Sequence, residues 1–228
     1  MKLILPGLAL ALALVPTAMA AKPPAKPAKP KPNGASAVTI AAKPSIIVFS
    51  GATTLGGRLS GAASSGIAVG LEQDDSRPYG DSYKPSNATT TTANNGAYAF
   101  TVKPLRNTQY RVVARTSPPV TSPASLVRVR IRVGANVSDT TPARGSLVRF
   151  SGSAFPAHDG RIVSIQKRSS SGGFITVSRT TLRDAGDAKS TYSRRLRVFR
   201  DGVYRVKIAG DGDHISGYSR LRALTVHG

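Results

Sequence analysis

The 228-residue sequence predicts an all-β protein built from two tandem β-sandwiches, and three observations carry that reading. The first is internal duplication. Tyr98 followed by Tyr110-Arg111-Val112 is echoed 94 residues later by Tyr192 followed by Tyr204-Arg205-Val206. Gly51 and Gly145, and Gly66 and Gly160, share that offset, so the match predicts two copies of a whole domain rather than one stray motif. The second is composition: 22 Gly and 16 Pro, abundant Thr, Ser and Val, and few apolar runs of helical period favour strands and turns. The third is length, since each copy has the ~100 residues of a small sandwich, enough for one modest core.

The elements follow in chain order. Residues 1–20 read as a signal peptide: Lys2 gives a basic n-region, 3–15 an apolar h-region and Ala18-Met19-Ala20 a small-residue cleavage site. The competing reading, a membrane anchor, needs ~20 apolar residues, more than this run supplies. The mature chain is expected to start at Ala21, to carry no transmembrane segment and to be secreted, extracellular or associated with the cell envelope. Residues 21–37 form a Lys/Pro-rich linker whose tract at 22–32 is expected to be extended and polyproline-II-like.

The first sandwich is placed at 38–133, with strands at 45–49, 53–60, 67–73, 88–93, 97–102, 109–115 and 125–133. Alternation sets their faces: Ile67, Val69 and Leu71 share one, as do Tyr98, Phe100 and Val102, and Tyr110, Val112 and Ala114. Asn94-Asn95-Gly96 tolerates positive φ and predicts a hairpin between its flanking strands. The second sandwich, 134–228, repeats the order at 147–153, 163–168, 174–182, 191–198, 203–209 and 219–226, with Arg200-Asp201-Gly202 as the turn before Tyr204. About seven short strands per copy, with regular turns, predict an immunoglobulin-like sandwich. Tyr110 and Tyr204, each opening a late strand, fit the tyrosine corner of that architecture, with their rings in the core.

The string Gly66-Ile67-Ala68-Val69-Gly70-Leu71-Glu72-Gln73, the segment Asn95-Gly96-Ala97-Tyr98-Ala99-Phe100-Thr101-Val102-Lys103-Pro104 and the strand Tyr110-Arg111-Val112-Val113 together resemble bacterial extracellular Ig-like repeats. The resemblance spans about residues 38–228. The second copy departs from the pattern, with a longer run between Gly186 and Tyr192, and with Arg194 and Arg195 in place of Phe100 and Thr101. It implies secreted or cell-surface sandwich modules that serve as spacers or adhesive units without catalysis.

Charge is the other conspicuous feature, a formal +21 spread over the linker and both copies. Arg128, Arg130 and Arg132 alternate with Val127, Val129, Ile131 and Val133, which predicts a basic ladder with rungs about 7 Å apart. Arg195 and Arg197, with Arg205 and Lys207 on the following strand, are expected to make a comparable face. Such faces attract polyanions by counterion release, so the expected partner is an anionic cell-wall polymer or extracellular polysaccharide. No sequence-specific nucleic-acid reading is expected, because the chain has no Trp, 6% aromatics and no recognition motif. Tyr79 and Tyr83, in the irregular stretch 74–85, are the candidate loop contacts.

No catalytic residue, cofactor or metal is expected. The chain has no Cys, which excludes thiol chemistry and disulfides. His158, His214 and His227 are scattered without metal-ligand spacing, and Glu72 is the single Glu. Asp74-Asp75 with Asp81, and Asp211-Gly212-Asp213, lack EF-hand spacing and read as turns. The function expected is a secreted, non-enzymatic interaction module held at anionic surfaces. The alternative is a structural spacer or adhesive protein whose charge is incidental.

Overall fold

The computed structural model describes residues 34–228, so the expected signal peptide and the linker up to residue 33 lie outside them. Glycine, proline and β-branched residues leave no helical run, and the described residues form twenty strands and no helix. No helix among them is therefore long and apolar enough to cross a membrane.

Four sheets result. In the first, β4 (Thr53–Gly61) is flanked on one side by β1 (Ala35–Val38) and β2 (Ala41–Lys43) and on the other by β7 (Ala97–Val102). The second runs β3 (Ile46–Val48), β10 (Ser125–Arg130), β8 (Thr108–Ala114), β5 (Ala68–Asp74) and β6 (Lys84–Thr91), with β9 (Val120–Thr121) also on β8. The third pairs β11 (Arg132–Val133) and β12 (Asn136–Val137) with β13 (Leu147–Phe155), followed by β17 (Ser190–Arg197) and β16 (Arg183–Asp184). The fourth runs β15 (Phe174–Thr181), β14 (Ile162–Arg168), β18 (Gly202–Ile208) and β19 (Gly217–Tyr218), with β20 (Arg222–Leu224) also on β18.

Alternation drives one face of each sheet inward, giving a sandwich-like arrangement around two cores. Leu55 and Leu59 of the first sheet meet Val69, Leu71, Val112, Val127 and Val129 of the second. Phe150 and Ala154 of the third meet Val163, Ile165, Val206 and Ile208 of the fourth. Tyr110 and Tyr204 are buried, as their parity predicts. The hydroxyl bonds to backbone, however, come from Tyr98 to Thr39 O and from Tyr192 to Gly134 O, at 2.8 Å for the latter. The tether thus sits one strand earlier than the predicted tyrosine corner. Burial holds the Tyr98 hydroxyl at a pKa of about 12, so it stays a donor throughout the physiological range.

Three local expectations are corrected. The Asn94-Asn95-Gly96 turn forms, with Gly96 at φ 78°, but it is not a hairpin: β6 belongs to the second sheet and β7 to the first. Gly145 has φ 84°, whereas in the first copy Ser50, at φ 70°, occupies the left-handed region and Gly51 does not. The Gly51 and Gly145 correspondence is therefore shifted by one residue. The strand expected over 125–133 breaks at Ile131, where the chain changes partners: Arg130 pairs with Val48, and Arg132 pairs with Phe155.

That break is where the cores meet. Ile131 and Val133 pack in the second core. The loop before β19 reaches back, with Ile215 N donating to Val129 O at 2.9 Å and Ile131 N donating to Ile215 O at 3.2 Å. Asn107 joins the same seam: its N–H donates to Asp213 O at 2.7 Å, and its side-chain amide donates to Gly212 O at 3.3 Å.

Candidate functional site

The fourth sheet turns a basic and aromatic face outward. Along β18, Tyr204, Val206 and Ile208 are buried, so Arg205 and Lys207 must point the other way. Register places Gln166 beside Arg205 and Tyr218 beside Lys207. Arg205 Nε donates to Gln166 Oε1 at 2.9 Å, and its guanidinium carbon lies 3.8 Å from the Phe174 ring centre and 4.5 Å from that of Tyr218. Arg168 lies 5.4 Å from Phe174, and Lys207 Nζ 5.9 Å from Tyr218. From the first core, Arg130 reaches within 5.7 Å of the same Tyr218 ring, which is 36% exposed.

Four cations therefore gather on two rings. Among the described residues, the Lys and Arg side chains that pair with a carboxylate are Arg106, Arg111 and Arg161, so none of the four is neutralised in this way. A cation lying on a ring has already lost some rotamer freedom, while its N–H groups stay available to an oxyanion.

The ladder read from sequence is only partly assembled. Arg128 and Arg132 are exposed and Arg130 half-buried, as the alternation predicts. The strand break nevertheless divides them between two sheets, and Arg132 stacks on Phe155 at 4.2 Å. The second expected face is a correction: Arg195 and Arg197 lie on β17 in the third sheet, apart from Arg205 and Lys207 in the fourth. Strands consecutive in sequence cross from one sheet of a sandwich to the other, so their outward side chains leave the core on opposite sides. Arg197 Nη1 donates to Gly145 O at 2.7 Å, and Arg195 stands directly opposite Arg149 in the register. That like-charge pair is unfavourable until an anion comes between the two.

The loop between β5 and β6 is braced from within. Asp74 is 1% exposed, with Oδ2 accepting from Gly80 N at 2.7 Å and Ser82 N at 3.3 Å, and Oδ1 accepting from Ser76 N at 3.2 Å. Burial works to raise its pKa, but the backbone N–H groups of Gly80, Ser76 and Ser82 outweigh it and hold the carboxyl below its usual value. With both oxygens engaged by donors, Asp74 is a loop brace rather than a calcium ligand. Tyr83 donates to Gln109 Oε1 at 3.0 Å beneath Arg111, which pairs with Glu72 at 2.6 Å. Tyr79 donates to Asn107 O at 3.4 Å. Both candidate tyrosines are thus half-buried supports of the loop.

Asp74→Asn is expected to cost about 1–3 kcal/mol at pH 7, because Gly80 N–H then faces an amide that also donates. The folded pKa lies below the unfolded one, so this stabilisation is present above about pH 4 and is lost as pH falls through the folded value. Urea unfolding of both proteins across that range should show their difference at full size at pH 7 and shrinking in acid.

Two histidines that are far apart in sequence come together. His158 and His214, 8% and 7% exposed, lie in T-shaped contact at 5.0 Å around Asp211. Ser190 Oγ fixes the backbone N–H of His158 at 2.6 Å and in turn donates to Asp159 at 2.6 Å. The Nε2 of His158 is 3.2 Å from Asp211 Oδ2, and the Nδ1 of His214 is 3.6 Å from Oδ1. Burial raises the Asp211 pKa, but the backbone N–H groups of His214 and Asp213, joined by the two imidazoles when these carry charge, bring it below the usual value. Nothing in the sequence spacing announces this cluster. Neither a scan against protein-family models nor a search of curated proteins finds a match to the chain.

Proposed function

We propose that this chain is a secreted, non-enzymatic module of the cell envelope or extracellular space, held at an anionic polymer by its basic faces. The observation that carries the reading is the outward face of the fourth sheet, where Arg130, Arg168, Arg205 and Lys207 stand on Phe174 and Tyr218 without carboxylate partners. Rings among cations suit a polymer that alternates apolar sugar faces with charged groups. The Arg149 and Arg195 pair on the third sheet offers a second anion seat. Secretion rests on the signal-peptide pattern of residues 1–20.

We further propose that the two cores are tandem Ig-like sandwiches related by duplication. Matching hydrogen bonds support this: Ser122 Oγ accepts from Val112 N and Ser219 Oγ from Val206 N, both at 2.9 Å. The Tyr98 and Tyr192 tethers are a second such pair.

Co-sedimentation of the purified chain with isolated anionic cell-wall material tests the binding reading. Binding is expected at about 50 mM salt and is expected to be lost at about 500 mM. The triple variant R168S/R205S/K207S should bind less and show a flatter salt dependence, by roughly one unit of slope for each anionic group released. Its unfolding should stay cooperative, with a loss of about 2–4 kcal/mol at most, since the four cation and ring contacts removed contribute about 0.5–1 kcal/mol each. Equal binding by the variant would remove this face from the reading, and no binding at low salt would leave a structural spacer.

A further inference from the structure

We propose that His158, Asp211 and His214 bind one divalent transition-metal ion of the zinc class, at the seam between the two cores. These are the residues whose possible ligand atoms converge among the described residues, all within 4.8 Å of one another.

The hydrogen bonds of the two rings define the donor atoms. His158 Nδ1 faces Pro156 O at 2.8 Å, and His214 Nε2 faces Leu105 O at 2.8 Å. A carbonyl only accepts, so each of these nitrogens carries a proton. In a neutral imidazole the lone pair then sits on the other nitrogen, and in both rings that nitrogen is the one turned toward Asp211. An N–H pinned on a backbone carbonyl is the usual outer support of a metal-binding histidine, because it fixes the ring and raises its basicity.

The second observation is a buried atom without a partner. His214 Nδ1 is sealed from solvent and makes no hydrogen bond. Two imidazole lone pairs directed at a carboxylate repel it unless a cation lies between them. Donors around a tetrahedral zinc ion, with bonds of about 2.0–2.1 Å, stand about 3.3 Å apart. His158 Nε2 lies 3.2 Å from one Asp211 oxygen and His214 Nδ1 3.6 Å from the other, and with all three donors within 4.8 Å of one another small side-chain shifts close the set on one ion. Two nitrogens and one oxygen favour zinc, nickel, cobalt or copper over calcium or magnesium. Three protein ligands leave a fourth position open, and Asp211 also lines a groove of about 600 Å³ with Arg77, Tyr79, Asn107 and Arg128 that gives the ion a route in.

Arg161 Nη2 lies 3.5 Å from the same Asp211 Oδ2 and opposes a second cation there. Removing its charge should therefore tighten the site. All three ligands follow β12, and the hydrogen bond of His214 Nε2 to Leu105 O, in the loop between β7 and β8, links the ion's environment to the first half of the chain.

The test is titration of the metal-free full chain with zinc chloride by calorimetry, accompanied by thermal unfolding with and without zinc. One ion per chain is expected, with an unfolding temperature that rises with zinc and falls back on chelation. H158Q and H214Q should each lose affinity by more than ~100-fold, and R161Q should gain it. If either histidine variant fails to fold, the parent protein decides: cobalt should give an intense visible spectrum of low-coordinate type. Zinc should also shift the imidazole ¹⁵N resonances of His158 and His214 and leave those of His227 in place. Absence of one-to-one binding, unchanged affinity in a folded H158Q, or imidazole shifts confined to His227 would each overturn the site and leave an imidazolium and carboxylate ion pair.

Discussion

Replacing Asn107 by Ala should lower the free energy of unfolding by about 1–3 kcal/mol, a large effect for a single polar substitution. Asn107 is 3% exposed, and its side chain joins two parts of the chain that share no sheet. Its Oδ1 accepts from Val129 N at 2.8 Å, and its Nδ2 donates to Gly212 O at 3.3 Å. Alanine strands the buried Val129 N–H, and a buried unpaired polar group costs about 1–3 kcal/mol, whereas Gly212 is exposed and its carbonyl turns to water. The amides of Val129 and Ile215 should exchange faster with solvent, while those of β4 and β14 keep their protection. A loss below about 0.5 kcal/mol would mean that water takes over both bonds and that the seam is looser than the geometry indicates.

Gly57→Ala and Gly152→Ala should each destabilise by about 2–5 kcal/mol. A Cβ on Gly57 would overlap Thr39 O and lie 2.6 Å from Tyr98 Oη. On Gly152 it would overlap Gly134 O and lie 2.8 Å from Tyr192 Oη. In both places the methyl group occupies the space through which the tyrosine reaches its carbonyl, so overpacking and a lost buried hydrogen bond add together. Neither obstacle is the free end of a long side chain that swings aside. Gly56 supplies the control: its Cβ would meet nothing nearer than Tyr98 O at 3.7 Å. Gly56→Ala should be neutral or slightly stabilising, by up to about 1 kcal/mol, through the unfolded chain. Urea denaturation of the three variants checks the contrast, and equal effects at Gly56 and Gly57 would sink the clash argument.

Much of the fold was legible because alternation is local. Val69 and Leu71, and Tyr110, Val112 and Ala114, share buried faces as read, since parity along a strand needs only the strand itself. Sheet membership was not legible. Asn94-Asn95-Gly96 carries the signal of a hairpin, yet the turn delivers the chain across the sandwich, a choice made by distant partners. For the same reason Arg195 and Arg205 seemed neighbours, while the pairing of Phe174 and Tyr218 with Arg205 depends on register between strands far apart in sequence. His158 and His214 sit in loops, where no periodicity reports direction. The Asp-Gly-Asp-His string at 211–214 was the only local hint, and it reads equally as a turn.

A single residue, Ile131, separates β10 from β11. One extended residue spans at most about 3.6 Å, whereas ten flexible ones would let their ends wander by about 17 Å. A pull applied along the chain therefore meets almost no slack here and passes directly from the β3 and β10 pair into β11 and β13. Under such a load the two cores act as one stiff lever: turning the first swings the Arg205 face through the same arc, so its aim is set by the scaffold rather than by thermal wandering.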